Sequence, residues 1–275
     1  MRFGLARLIL SIAAGYLIVL VVLALMADVI APYSPEFRAP GVLLAAPSAD
    51  HLLGTDQQGR DILTLLIFGA RVALLIGFGA TLLSMIIGIP IGLFSGWQRG
   101  LIDSVLMGLA EVVFAFPGIL LAILLVFITQ EPSIFNIMVA LSATGWAGWA
   151  RLTRGQVLQE NEKEYVNMAL TAGAGRVRVL SMHILPNIAS ILLVQMSFAT
   201  GAAILAESSL SFLGLGPQNV PSWGSMLSEG AALFICSPYV ASFSGLAIFL
   251  AVLSFNVVGD RLRDALAQAD PLTQG

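Results

Sequence analysis

The sequence predicts an all-α membrane protein with six transmembrane helices, and three observations carry that expectation. Hydrophobic residues fill 58% of the 275 positions and charged residues only 11%, with a mean hydropathy of +0.93. A soluble domain has about 25% charged residues, so the surplus apolar surface must face lipid. Six runs, at residues 8–27, 72–96, 104–130, 133–150, 184–206 and 239–259, reach the roughly 20 residues that a helix needs to cross a bilayer. A backbone in hydrocarbon must satisfy its own hydrogen bonds, and these runs are too long for barrel strands, so they are helices. Basic residues, finally, fall on one side of a six-span arrangement.

The elements follow in order. Residues 8–27 are uncharged behind a basic start; the run exceeds the 7–15 residues of a secretory leader's apolar core, so a retained first helix is expected. In the second run Gly88, Gly92 and Gly96 recur every four residues, which stacks them on one face and lets another backbone approach. Pro90 and Pro117 lie inside the second and third runs and should kink them. Glu111, about two turns into the third, is a candidate interhelical contact; Asp28, Asp103 and Asp260 sit at span ends, as solvated interfacial groups do. Pro186 suits the first turn of the fifth run. Residues 208–228 are apolar, but Gly214, Gly216, Pro217, Pro221 and Gly224 interrupt them. That segment is expected to be ordered, extracytoplasmic or partly re-entrant, with Trp223 as an interfacial anchor, and not a seventh span.

Six spans place Arg2, Arg7, Arg99, Arg151, Arg154, Lys163, Arg176, Arg178, Arg261 and Arg263 together, against Arg38, Arg60 and Arg71 opposite, or 10 of the 13 basic residues. The positive-inside rule makes the richer side cytoplasmic, with both termini there. The chain reads as a single transmembrane domain over 1–275. Residues 1–65 form the first helix and an extracytoplasmic loop, and residues 66–275 a five-helix core that includes the cytoplasmic loop 151–183.

Several chemistries are missing. The one lysine, Lys163, follows no glycine-rich loop, so no G-x-x-x-x-G-K-[ST] phosphate cradle is present. His51 and His183 fall on opposite sides of the membrane and cannot share a metal site or a catalytic pair. No G-x-S-x-G or H-E-x-x-H stretch occurs. No catalytic, metal or cofactor residues are therefore assigned. The net charge of −3 argues against a nucleic-acid partner. The lone Cys236 cannot form an internal disulfide.

The most informative stretch is the cytoplasmic loop. Glu164 to Ala174 reads as a short helix ending at Gly173, a residue that takes left-handed angles without steric cost, before a second short helix leads to Pro186. Glu164 favours the dipole of the first helix. Val166, Ala169, Leu170 and Gly173 fall on one stripe of small and apolar groups. Such a knuckle can dock into a groove of a partner; equally, it can lie on the headgroups of the bilayer.

The pattern Glu164-Tyr165-Val166-x-x-Ala169-x-x-x-Gly173-Ala174, followed by His183-Ile184-Leu185-Pro186-Asn187, resembles the EAA loop of ABC importer permeases. Further similarity to the second permease of the oligopeptide, dipeptide and nickel class lies in His51-x-Leu53-Gly54-Thr55-Asp56-x-x-Gly59-Arg60-Asp61 and in Ala115-Phe116-Pro117. It continues in Leu210-Ser211-Phe212-Leu213-Gly214-Leu215-Gly216 and Pro221-Ser222-Trp223-Gly224. Met168 stands where the loop's second alanine is usual, and Gly108 and Glu111 depart from the third span's basic and aspartate pattern.

The resemblance implies a type I importer fold in the bacterial inner membrane. It implies half of a translocation path for peptides or a related small solute, nickel among them, and a coupling loop comprising Glu164, Tyr165, Val166, Ala169, Gly173 and Ala174. It also implies a homologous second permease, two ATPase subunits that bind ATP and Mg, and an extracytoplasmic solute-binding protein. A secondary carrier driven by an ion gradient is the alternative; it would need deep ionisable residues and internal repeats.

Overall fold

A computed structural model describes residues 2–130 and 132–269, and every regular element among them is a helix. In chain order the helices are α1 (Arg2–Leu25), α2 (Ala27–Ile30), α3 (Ile62–Gln98), α4 (Gly100–Ala115), α5 (Gly118–Thr129) and α6 (Ile134–Glu160). They continue as α7 (Glu164–Thr171), α8 (Arg176–Val179), α9 (Leu185–Phe212), α10 (Trp223–Ala232) and α11 (Tyr239–Ala269). A π turn, Leu180–Ile184, joins α8 to α9. Pro186 has no N–H and its ring crowds the carbonyl four residues back, which accounts for the widened turn just before it.

The centre of the molecule is α3, 37 residues or about 55 Å long. Asp61 caps it by accepting hydrogen bonds from the Thr64 amide at 2.8 Å and hydroxyl at 2.9 Å. Its most extensive contact is with α6, and glycine is the reason. A β-carbon at Gly88 would stand 2.4 Å from the Trp146 carbonyl oxygen, one at Gly92 2.5 Å from that of Ala150, and one at Gly96 2.9 Å from Val157 Cβ. The glycine stripe is thus a packing seam. Around α3 lie three apolar cores. One joins α1, α3, α10 and α11 through Leu20, Ile62, Trp223 and Ile248. A second joins α3, α5 and α6 through Ile76, Ala122, Val126 and Ile137. The third gathers α6, α7 and α9 through Val157, Val166 and Ile188.

Among the described residues, four helical stretches are long and apolar enough to cross a membrane: Arg7–Leu25, Ile62–Gln98, Arg176–Phe212 and Tyr239–Leu266. The pair α4 and α5 adds a fifth if counted as one broken span. The expected third span is not one kinked helix. Phe116 adopts extended angles ahead of Pro117, as a pre-proline residue does, and the two helices meet at 87°. The expected fourth span, 133–150, starts at the N-cap Ser133 and otherwise lies within the helix α6. That helix is not apolar enough to pass alone, because small and polar residues such as Asn136, Ser142 and Gly145 occupy it. Six spans are therefore more than length and composition establish. Residues 208–228 are ordered and do not form one helix: α9 runs on to Phe212, a turn follows with Gly214 at φ +81°, and α10 begins at Trp223.

Of the charges at span ends, Asp28 and Asp260 are exposed, as expected, and Asp103 is not. Asp103 is buried, accepts both Nε (2.5 Å) and Nη2 (2.6 Å) of Arg154, and also accepts the Ser95 hydroxyl. It fastens α4 to α3 and α6, so it is no solvated group. Asp28 is exposed and pairs with Arg71 at 2.7 Å. Glu111 is exposed and has no hydrogen bond or ion pair within the described residues, so the expected interhelical contact does not form.

Candidate functional site

The loop 151–183 builds a knuckle in which one face is fixed and the other is open. Its foundation is the end of α6. The Glu160 carboxylate, buried there, accepts hydrogen bonds from Lys163 Nζ at 2.7 Å and from the Tyr165 hydroxyl at 2.5 Å. The three-residue turn that reverses the chain is thereby clasped at both ends. Asn161 Nδ2 donates to the Gly96 carbonyl at 3.4 Å, tying the turn to the end of α3. Burial, with the Glu160 carboxylate adding to it, pushes the Tyr165 phenol up to about 12, while Asn187 acts the other way. Tyr165 is therefore a neutral donor throughout the physiological range.

Val166, 1% exposed, inserts into the core formed by Val157, Val179, Ile184 and Ile188. Tyr165, Ala169 and Ala174 pack half-buried against the same core. Leu170 departs from the expected stripe: it is exposed at the edge of the helix. At the far end, the Gly173 amide donates to the Leu170 carbonyl and the Ala174 amide to that of Ala169, both at 3.0 Å, with Gly173 at φ +86°. This is a Schellman motif, and it uses the left-handed angle expected of Gly173.

The outward face of α7 is a shallow concavity lined by Glu164, Asn167, Met168, Thr171 and Ala172. Glu164 stands in the first turn, exposed and without a hydrogen bond or ion pair within the described residues, so no capping bond occupies its carboxylate. Five of the six residues singled out in the sequence (Tyr165, Val166, Ala169, Gly173 and Ala174) thus make the fixed side and the turn. Glu164 belongs to the open side. Sequence reasoning missed Glu160 and Lys163 as parts of the clasp and noted Met168 only as a departure from the loop's usual alanine; the clasp left no mark in the sequence, because the turn itself creates the burial of Glu160.

Mechanically the knuckle is continuous with the long helices. Through Glu160 and Val157 it joins α6, and so the glycine seam with α3; through α8 and the π turn it runs without a break into α9. Packing and backbone thus tie the knuckle to three long helices.

Residues 88–269, which include the whole knuckle, match the family of binding-protein-dependent transport system inner membrane components. The chain is 40% identical over 259 residues to the glutathione transport system permease protein GsiD of Pectobacterium atrosepticum, covering 93% of this chain and 86% of that protein. It is 40% identical over 252 residues to the dipeptide transport system permease protein DppC of Bacillus subtilis, covering 91% and 78%. Against the oligopeptide transport system permease protein OppC of the same organism, identity is 40% over 254 residues, covering 91% and 83%. With its several apolar helices, this multi-pass membrane chain belongs to the binding-protein-dependent inner-membrane permeases and, within them, to the ABC importer permeases of the peptide class.

Proposed function

We propose that this chain forms half of the translocation path of an ATP-driven importer and that α7 is its coupling helix. The transported solute would be a peptide or a related small molecule such as glutathione; the nickel branch of the class remains within the resemblance but gains nothing from the relatives compared above. The observation that carries the reading is the two-sided knuckle. One side of α7 is locked to α6 and α9 by Val166 and the Glu160–Tyr165 bond, while the other presents Glu164, Asn167, Met168 and Thr171 to a partner.

In this reading two ATPase subunits supply the nucleotide site, binding ATP and Mg, and this chain contributes no cofactor residues. One ATPase docks on the open side of α7, and closure of the ATPase pair carries α6, α3 and α9 with it. A homologous second permease completes the path, and a solute-binding protein delivers cargo from outside. The topology has six spans, with α6 as the fourth, shielded by α3 and α5, and with both termini in the cytoplasm. The secondary-carrier alternative finds no support in the family assignment.

The test separates the two sides of the helix. Met168→Lys places a charge on the exposed face, where most of the side chain is free of the chain, and should leave insertion intact. Gly173→Val opposes a left-handed angle at a cost of about 1–2 kcal/mol and reorients the same face. Both variants are expected to reach the membrane at normal levels yet lose ATPase subunits on co-purification, together with solute uptake. Normal retention and uptake in both would end the coupling assignment.

A further inference from the structure

On the side opposite the knuckle, a cavity of about 840 Å³ lies where the loop between α2 and α3 meets the segment that leads into α10. Its floor is apolar, made by Leu65, Phe68 and Met226. Its rim is charged with both signs: Glu36 and Arg38 from the loop, Arg60 just before α3, and Glu229 from α10. This volume lies in the range of sites for small organic ligands, and an apolar floor with a few convergent polar groups is their usual form.

The rim is built, and part of it is uncommitted. Asp56, 1% exposed, holds Arg60 by accepting its Nε at 2.6 Å and its backbone amide at 2.9 Å. Arg60 Nη2 reaches across to Glu229 at 3.1 Å and so bridges loop and helix into one wall. The Ala39 amide donates to the Gly59 carbonyl at 3.0 Å, which anchors the loop segment that carries Arg38 beside that wall. Burial raises the Glu229 carboxyl, an effect that Arg60 opposes and Asp56 reinforces. By contrast, the side chains of Glu36 and Arg38 are exposed and have no hydrogen-bond or ion-pair partner within the described residues. A cavity with one free cation, one free anion and an apolar floor complements a small molecule with a carboxylate, an ammonium group and apolar side chains between them.

We infer that this cavity is an outer subsite for the free termini of a short peptide, in which Arg38 receives the terminal carboxylate, Glu36 the terminal ammonium, and Phe68 and Met226 a side chain. The inference rests on the reading of the chain as a peptide permease with this face outward. No chemistry occurs at the site; it would hold cargo released at the mouth of the path.

The experiment uses the importer with both permeases and its ATPases in proteoliposomes. Cys236 is replaced by serine, and Val220, at the cavity wall and exposed, by cysteine. Labelling of Val220→Cys by a membrane-impermeant maleimide is timed with trialanine, with N-acetyl-trialanine amide, or with neither, all without the solute-binding protein. Trialanine is expected to slow labelling several-fold, the doubly blocked peptide to leave it unchanged, and Arg38→Ala to remove the protection. No protection by trialanine, equal protection by the blocked peptide, or full protection retained in Arg38→Ala would each overturn the subsite. Trialanine uptake by the same importer, with its binding protein added, separates the two levels. Uptake without protection removes the subsite and leaves the importer standing, whereas absence of uptake counts against the peptide reading on which the subsite depends.

Discussion

The α3–α6 seam and the α4–α5 arm lie side by side and are held in opposite ways. Along the seam three glycines bring backbone against backbone, and the facing residues Trp149, Ala150, Thr153 and Val157 are buried. The arm buries few side chains of its own, among them Asp103, Ala110, Ala122 and Val126. Its remaining surface, including Leu120, Leu124, Phe127 and Ile128, stays exposed. Close approach without side chains makes a contact that can only be tight or broken. A limb pinned at a few points can be repositioned by whatever covers its apolar face. The molecule thus carries a closely packed unit next to the knuckle and a sparsely packed one beside it.

Breaking the seam should give the largest effect. Gly92→Val would place a β-carbon 2.5 Å from the Ala150 carbonyl oxygen and 2.6 Å from Thr153 Cβ. Both obstacles lie on or next to helical backbone, so no rotamer change relieves them, and the cost should reach the upper end of the roughly 1–3 kcal/mol typical of overpacking. We expect a large drop in the melting temperature of the detergent-solubilised chain and loss of the folded fraction in the membrane. Gly108→Val on the arm, where an added β-carbon meets nothing within 4 Å, serves as its control and should melt within a few degrees of the parent.

The next effect concerns the pin between the two regions. Asp103→Ala removes both hydrogen bonds to Arg154 and the one from Ser95. Bonds to charged groups contribute about 1.5–3 kcal/mol, and the part-exposed Arg154 can recover some of that from water. We expect a destabilisation near the lower end of that range. In a double-mutant cycle, Arg154→Ala should add little once Asp103 is gone. Additive losses from the two substitutions would show that the pair is not what joins arm to seam.

How much of this was legible in the sequence depends on whether the cause was local. Gly88, Gly92 and Gly96 announced a packing face because four-residue spacing has one geometric meaning on a helix, although their partner helix was not readable. Gly173 announced its turn because a left-handed angle ends a helix at little cost only in glycine. The Asp103–Arg154 pair was invisible: its members lie 51 positions apart, and each taken alone reads as an interfacial charge. Glu160 escaped notice because its role depends on burial, which the turn to Tyr165 creates. Pro117 marked the break between α4 and α5. Its angle follows from where Ala122 and Val126 find their partners, Ile137, Ala140 and Leu141, and that is tertiary. Residues 133–150 were legible as a helix but overstated as an apolar one, because small residues that suit a protein-facing helix were read as suiting lipid.

The smallest effect on the isolated chain, and the most informative about the arm, should come from its exposed stripe. Leu120, Leu124, Phe127 and Ile128 recur at helical spacing on one side of α5 and are 52% to 68% exposed. Lipid chains accommodate a larger apolar side chain readily, whereas a second helix packed at close range does not. Leu124→Trp should therefore leave the melting of the chain alone within about 0.5 kcal/mol, the range of surface substitutions away from special features. If the proposed second permease covers this stripe, the same substitution should lower recovery of the pair on co-purification and slow uptake. The seam variant would fail in every assay, whereas this one should fail only when the partner is present. Unchanged recovery and uptake in Leu124→Trp would place lipid on the arm, and the proposed second permease would then have to meet the chain elsewhere.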